Sequence, residues 1–157
     1  LLDVYAGVST MTNTVVTALN YTHLAPLVER LAGLARLVQM EFWFYFPMNE
    51  RDEKGLAASH LEVLPYLEDA IRHLRRLGRG IEVKNFTECL LGSNRDVLYN
   101  DQPTLFIDPG FWVEFMRNGF DQCVHRDKCS SKQCLGLNSG YIAKFGNHAE
   151  ILKPFPQ

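Results

Sequence analysis

TVVTALNYTHLAPLVERLAGL, residues 14–34, is the stretch from which the fold is read. Its first six residues are β-branched and apolar and stop at Asn20, as a strand buried on both faces does. Asn20 or Thr22 can then cap a helix in which Leu24, Leu27, Val28, Leu31 and Leu34 recur at helical spacing, with Pro26 tolerated in its first turn. A strand followed directly by an amphipathic helix is half of a parallel crossover unit, and the question for the rest of the chain is whether the other half follows.

It does. VQMEFWFYF at 38–46 is dense in aromatics and ended by Pro47, and reads as a second buried strand. Glu41 is its odd member, and the sequence predicts it at the surface or the bottom of a barrel rather than in a polar interior. After the polar link PMNERDEKG comes a second helix with Leu67, Ile71, Leu74 and Leu77 inward and Gly78 as its stop. Ser59 and Glu62 match a capping box, but that start would place Pro65 inside the helix, so the expected start is at Pro65. IEVKNF at 81–86 is the third strand and runs straight into Thr87, Glu88 and Cys89. Strand, helix, strand, helix, strand with short links predicts parallel pairing, with ligands at the carboxyl ends of the strands: Asn20 and Tyr21, Pro47 to Asn49, and Thr87 to Cys89. Beyond Gly92 turns dominate, and FWVEFM at 111–116 suits a short helix or a strand.

The chain has 157 residues, 46% of them hydrophobic, which suffices for one core with an appendage. Its 16 basic and 18 acidic residues are mixed along the sequence, so no broad field draws a nucleic-acid backbone. The longest apolar run, Phe42 to Met48, is too short for a bilayer, and no basic and then apolar leader opens the chain. A soluble, cytoplasmic protein without a membrane partner is expected, and nothing argues for nucleic acid. Because the chain starts at Leu1 amid ordinary folded sequence, it is expected to be a fragment of a longer protein.

The chemistry is concentrated in DQCVHRDKCSSKQCLGLNSGYIAKFG, residues 121–146, which holds Cys123, Cys129 and Cys134; Cys89 lies upstream. Thiolates crowded among Gly, Ser and basic residues suit a zinc ion or an iron–sulfur cluster. The spacing C-x5-C-x4-C is looser than paired zinc knuckles, and it leaves a metal site and four plain reduced thiols equally open. Gly136 and Gly140 favour the site, since glycines let backbone amides approach sulfur. His125 is an alternative ligand. His23, His60, His73 and His148 read as solvated. No phosphate loop, nucleophile elbow or H-E-x-x-H motif is present.

TVVTALNYTHL at 14–24, MEFWFYFPM at 40–48, LPYLEDAIRHL at 64–74 and IEVKNFTECLLG at 81–92, closed by C-x5-C-x4-C-x-G and Y-x3-F-G, resemble the later strands and the C-terminal cysteine segment of radical S-adenosylmethionine enzymes. The resemblance implies an α/β fold, the C-terminal portion of a partial (β/α)6 TIM-like barrel over residues 1–92, followed by an irregular cysteine-containing extension over 93–157. It implies a fragment of an oxidoreductase or maturase acting on a small molecule or a peptide, completed by a missing N-terminal half-barrel. The family's C-x3-C-x2-C motif is absent here, so this stretch is not catalytically complete alone. Asn20 would match a contact to S-adenosylmethionine or substrate, and Phe46, Pro47 and Met48 would match the segment against adenine. Cys89, Cys123, Cys129 and Cys134 would match ligands of an auxiliary iron–sulfur cluster. The alternative is a non-enzymatic α/β binding module whose cysteines hold zinc.

Overall fold

A computed structural model describes residues 7–47, 51–100 and 108–156. Three parallel strands, β1 (Thr10–Val16), β2 (Leu37–Phe44) and β3 (Gly80–Lys84), form an open sheet in the order β1-β2-β3. They are linked by α1 (Leu24–Leu31) and α2 (His60–Arg76). The molecule is thus a mixed α/β structure with a small parallel sheet. Beyond β3 follow α3 (Glu88–Leu91), α4 (Pro109–Arg117) and α5 (Ser139–Phe145).

One apolar cluster joins Val16, Met40, Phe42, Phe44 and Val83 of the strands to Leu24 and Val28 of α1 and to Val63, Leu67, Ile71 and Leu74 of α2. Both helices therefore cover the same face of the sheet. The other face carries Met11, Asn13 and Val15 of β1, paired in register with Gln39, Glu41 and Trp43 of β2, which pair in turn with Gly80, Glu82 and Lys84 of β3. The expectation of a first strand buried on both faces is corrected here. Along β1 half-buried and exposed residues alternate up to the buried Val16, Val15 and Leu19 are 52% and 77% exposed, and the apolar run at 14–19 straddles the strand's end.

Glu41 sits mid-strand on this second face. Its carboxylate accepts from Gln39 Nε2 at 3.0 Å and from Trp43 Nε1 at 2.8 Å. The buried Lys84 ammonium lies over the rings of Trp43 and Tyr99 and 3.7 Å from Glu82. Glu41, expected at the surface or the bottom of a barrel, is half-buried on this face and bonded to neighbours of its own strand, with Lys84 of β3 over the Trp43 ring.

The start of α2 also differs from expectation. It begins at His60, five residues before Pro65, and Val63 N–H already donates to the Ser59 carbonyl at 3.0 Å. Ser59 does not cap the helix; the free N–H of His60 is taken instead by Tyr141 Oη at 2.9 Å, so a tertiary contact satisfies the helix end that a capping box would have served. The apolar core extends past residue 92: Val97 and Leu98 belong to it, and a parallel bridge joins Leu98 to Val83. Among the described residues no helix is long and apolar enough to cross a membrane.

Candidate functional site

The loop that leaves β3 turns into α3 and carries Thr87, Glu88 and Cys89. Residues 119–137 fold back toward it through two ladder-like bonds, Asp121 N–H to the Leu135 carbonyl and Gln122 N–H to the Leu137 carbonyl. Gly136 makes this closure possible. Its φ is +70°, and a Cβ there would come within 2.9 Å of the Asp121 backbone. Residues 152–155 close the third side, where Ser130 N–H donates to the Phe155 carbonyl.

All four thiols line the single cavity so formed, together with Glu88, His125 and Ser131. The cavity measures about 20 Å³, room for one ordered water. Backbone N–H groups are directed at three of the sulfurs: Lys153 donates to Cys89, Phe155 to Cys129 at 3.4 Å, and Glu88 and Gly136 to Cys134, the latter also at 3.4 Å. A neutral thiol is a weak acceptor and a thiolate a strong one, so four aligned donors form a setting for negative sulfur.

Without a counter-charge that negative form is disfavoured. Burial pushes the Cys89 thiol above its ordinary range and outweighs the Lys153 N–H, and the other three cysteines push it further. Burial likewise raises Cys134 against the donors from Glu88 and Gly136, with the Glu88 carboxylate and Cys123 adding to the rise. Glu88 accepts from Ser131 Oγ, which in turn accepts from Cys134 N–H at 3.1 Å. The sulfurs share a wall, yet among the described residues no three His, Cys, Asp or Glu side chains stand close enough to hold one metal ion.

A second cavity lies at the carboxyl ends of β2 and β3, lined by Tyr45, Phe46, Pro47, His60, Asn85 and Tyr141 among others. The two cavities are one hydrogen bond apart: His60, on the second, bonds through Nδ1 to Thr87 Oγ1, on the first, at 2.9 Å. His60 is buried, stacked on Phe86 with ring centroids 4.4 Å apart, and burial with the nearby His148 lowers its pKa to about 3. Tyr141 Oη completes the joint, bonding His148 Nε2 at 3.0 Å.

The structure thus brings together Cys89, Cys123, Cys129 and Cys134, and, separately, Phe46 and Pro47. Met48 lies outside the described residues. Asn20 joins neither group: its Oδ1 accepts from Thr17 N–H at 2.8 Å and its Nδ2 donates to the Val15 carbonyl at 2.9 Å, so its amide closes the turn after β1. Sequence reasoning read His60 as solvated and passed over Asn85 and Tyr141. The only signal was position, with Asn85 at a strand's carboxyl end and His60 beside a candidate cap. Compared with known proteins, no family model, no curated protein and no solved structure matches this chain.

Proposed function

We propose that Cys89, Cys123, Cys129 and Cys134 hold an iron–sulfur cluster, and that the chain is the C-terminal part of a radical S-adenosylmethionine oxidoreductase or maturase. The observation that carries this reading is the convergence of four thiols from two distant stretches on one cavity, with backbone N–H groups directed at three of them. Hydrogen bonds to ligating sulfur are a main means by which a protein sets a cluster's stability and potential.

The sheet supports the same reading. Strands in sequential order with both helices on one face are arranged as in a barrel wall, and the polar network of Gln39, Glu41, Trp43 and Lys84 suits a lumen better than a surface. In this reading a half-barrel from elsewhere in the polypeptide pairs with the open edge of β1. S-adenosylmethionine, bound in the complete protein, supplies the radical; the residues here orient substrate at the strand ends, where Phe46 and Pro47 line the second cavity.

Anaerobic reconstitution with iron and sulfide tests the cluster. The expected product is brown, with visible charge-transfer absorption that Cys89→Ser and Cys134→Ser each abolish. A colourless protein without bound iron sinks the proposal. One observation favours a second reading, the zinc-held binding module: the extension buries little apolar surface of its own, as metal-stabilised domains do. One stable zinc per chain in aerobically purified protein would establish that reading instead.

A further inference from the structure

Asn85, the first residue after β3, has a left-handed backbone with φ at 60°. Its N–H donates to Asn100 Oδ1 at 2.8 Å, and its Nδ2 reaches the Phe44 carbonyl at 3.3 Å. The second bond orients the side-chain amide, since turning it over would set oxygen against the Phe44 oxygen. Oδ1 is left buried with no hydrogen-bond partner. A buried acceptor without a donor is rare and destabilising, and together with a strained backbone at a strand's carboxyl end it marks a site organised for something other than stability.

Asn85 lines the second cavity. Among the described residues no acidic side chain, lysine or arginine lines it; burial holds the His60 ring neutral and pushes the Tyr45 and Tyr141 phenols above their ordinary range, so they stay neutral as well. The cavity measures about 10 Å³, room for a single donor group. Phe46 and Phe120 stand edge to face in its wall with centroids 4.8 Å apart. An ammonium here would be stripped of water without a counter-charge, and a carboxylate would meet an acceptor.

We infer that this cavity is a binding subsite for an uncharged, flat ligand that places one N–H donor on Asn85 Oδ1 and rests its apolar body against Phe46 and Phe120. The subsite requires no metal, so its failure would leave the sulfur site untouched, and failure of the cluster would leave the subsite standing.

The test titrates benzamide, acetophenone and benzoate into the full 157-residue chain and follows the ring resonances of Phe46 and Phe120. Benzamide should bind saturably and about tenfold more tightly than acetophenone, which has its shape without the N–H, a difference of about 1.4 kcal/mol. Benzoate should bind no better than acetophenone. Asn85→Gly removes the acceptor at a φ that glycine adopts freely, and should bring benzamide down to the level of acetophenone. If an ordered water satisfies Oδ1 and no ligand displaces it, benzamide and acetophenone will bind alike in the unaltered protein. That result, or an unchanged benzamide affinity in Asn85→Gly, overturns the inference. The comparison in the unaltered chain decides the matter even if the variant does not fold.

Discussion

Residues 7–100 bury Val28, Met40, Phe42, Leu67, Ile71 and Val83 in one continuous cluster, whereas in residues 108–156 the described buried cluster is Leu137, Tyr141 and Leu152. The second part leaves Phe111, Trp112, Val113 and Met116 of α4 exposed, by up to 75%, and orders its loops through hydrogen bonds to backbone and sulfur. The first part is stabilised chiefly by removing apolar surface from water. The second depends on directional bonds and on its attachment to the first. A segment of that kind can be built around a ligand, because its own side chains do not already fill the space where a ligand would go.

The largest effect is expected from Phe42→Ala, which empties a fully buried site beneath both helices and should cost about 3–5 kcal/mol. Denaturant unfolding should show both parts lost in one transition, since the extension leans on the sheet; survival of ordered resonances at 118–156 would break the comparison.

Next comes acid. His60 at the seam has its folded pKa lowered to about 3 against an ordinary value of 6.5. As pH falls the unfolded chain takes up this proton first, so stability is full above about pH 6.5 and declines between there and about 3, by roughly 1.4 kcal/mol per pH unit at most. His60→Gln should flatten that part of the pH profile of the melting temperature, and an unchanged slope would remove His60 from the account.

Gly136→Ala should cost about 1–3 kcal/mol, confined to the extension. Limited proteolysis should cut near 119–137 while the sheet part stays protected. The smallest effect is expected from Lys144→Met. Lys144 Nζ donates to Asp52 Oδ2 at 2.7 Å and to the Ala57 carbonyl at 2.9 Å, tying α5 to the link before α2. Burial works to raise the Asp52 carboxyl, but the bonds from Lys144, Ala57 and Leu56 prevail and hold it below its usual value. The stability from this carboxylate is therefore present above the ordinary carboxyl range and lost as pH falls through the lowered value, and the variant should lose about 1 kcal/mol near neutral pH. A variant as stable as the parent would show that the Lys144 tie adds nothing measurable to the seam.

Three strands, two crossover helices and their parallel order were legible in the sequence because apolar period and turn residues agree over residues 10–84. What was not legible is where local and tertiary demands diverge. Pro65 argued for a late start to α2, but Tyr141, distant in sequence, satisfies the early one. FWVEFM was ambiguous because α4 has no buried face to set a period; Pro109 at its start and the Asp108 side chain on Gly110 N–H decide for a helix. Cysteine spacing revealed that thiols cluster, but not that residues 153–155, which carry no conspicuous chemistry, would supply amides to two of them. Asn85 gave no pattern at all, since an unsatisfied oxygen is a property of surroundings and not of residue order.

Among the described residues β1 is paired on one side only. Its other side offers a row of backbone donors and acceptors flanked by Met11 and Val15, 63% and 52% exposed, with no proline or lysine to guard it. Handled in isolation, this chain would therefore meet its own kind edge to edge as it is concentrated, and the practical ceiling on its solubility would be set by one strand of seven residues.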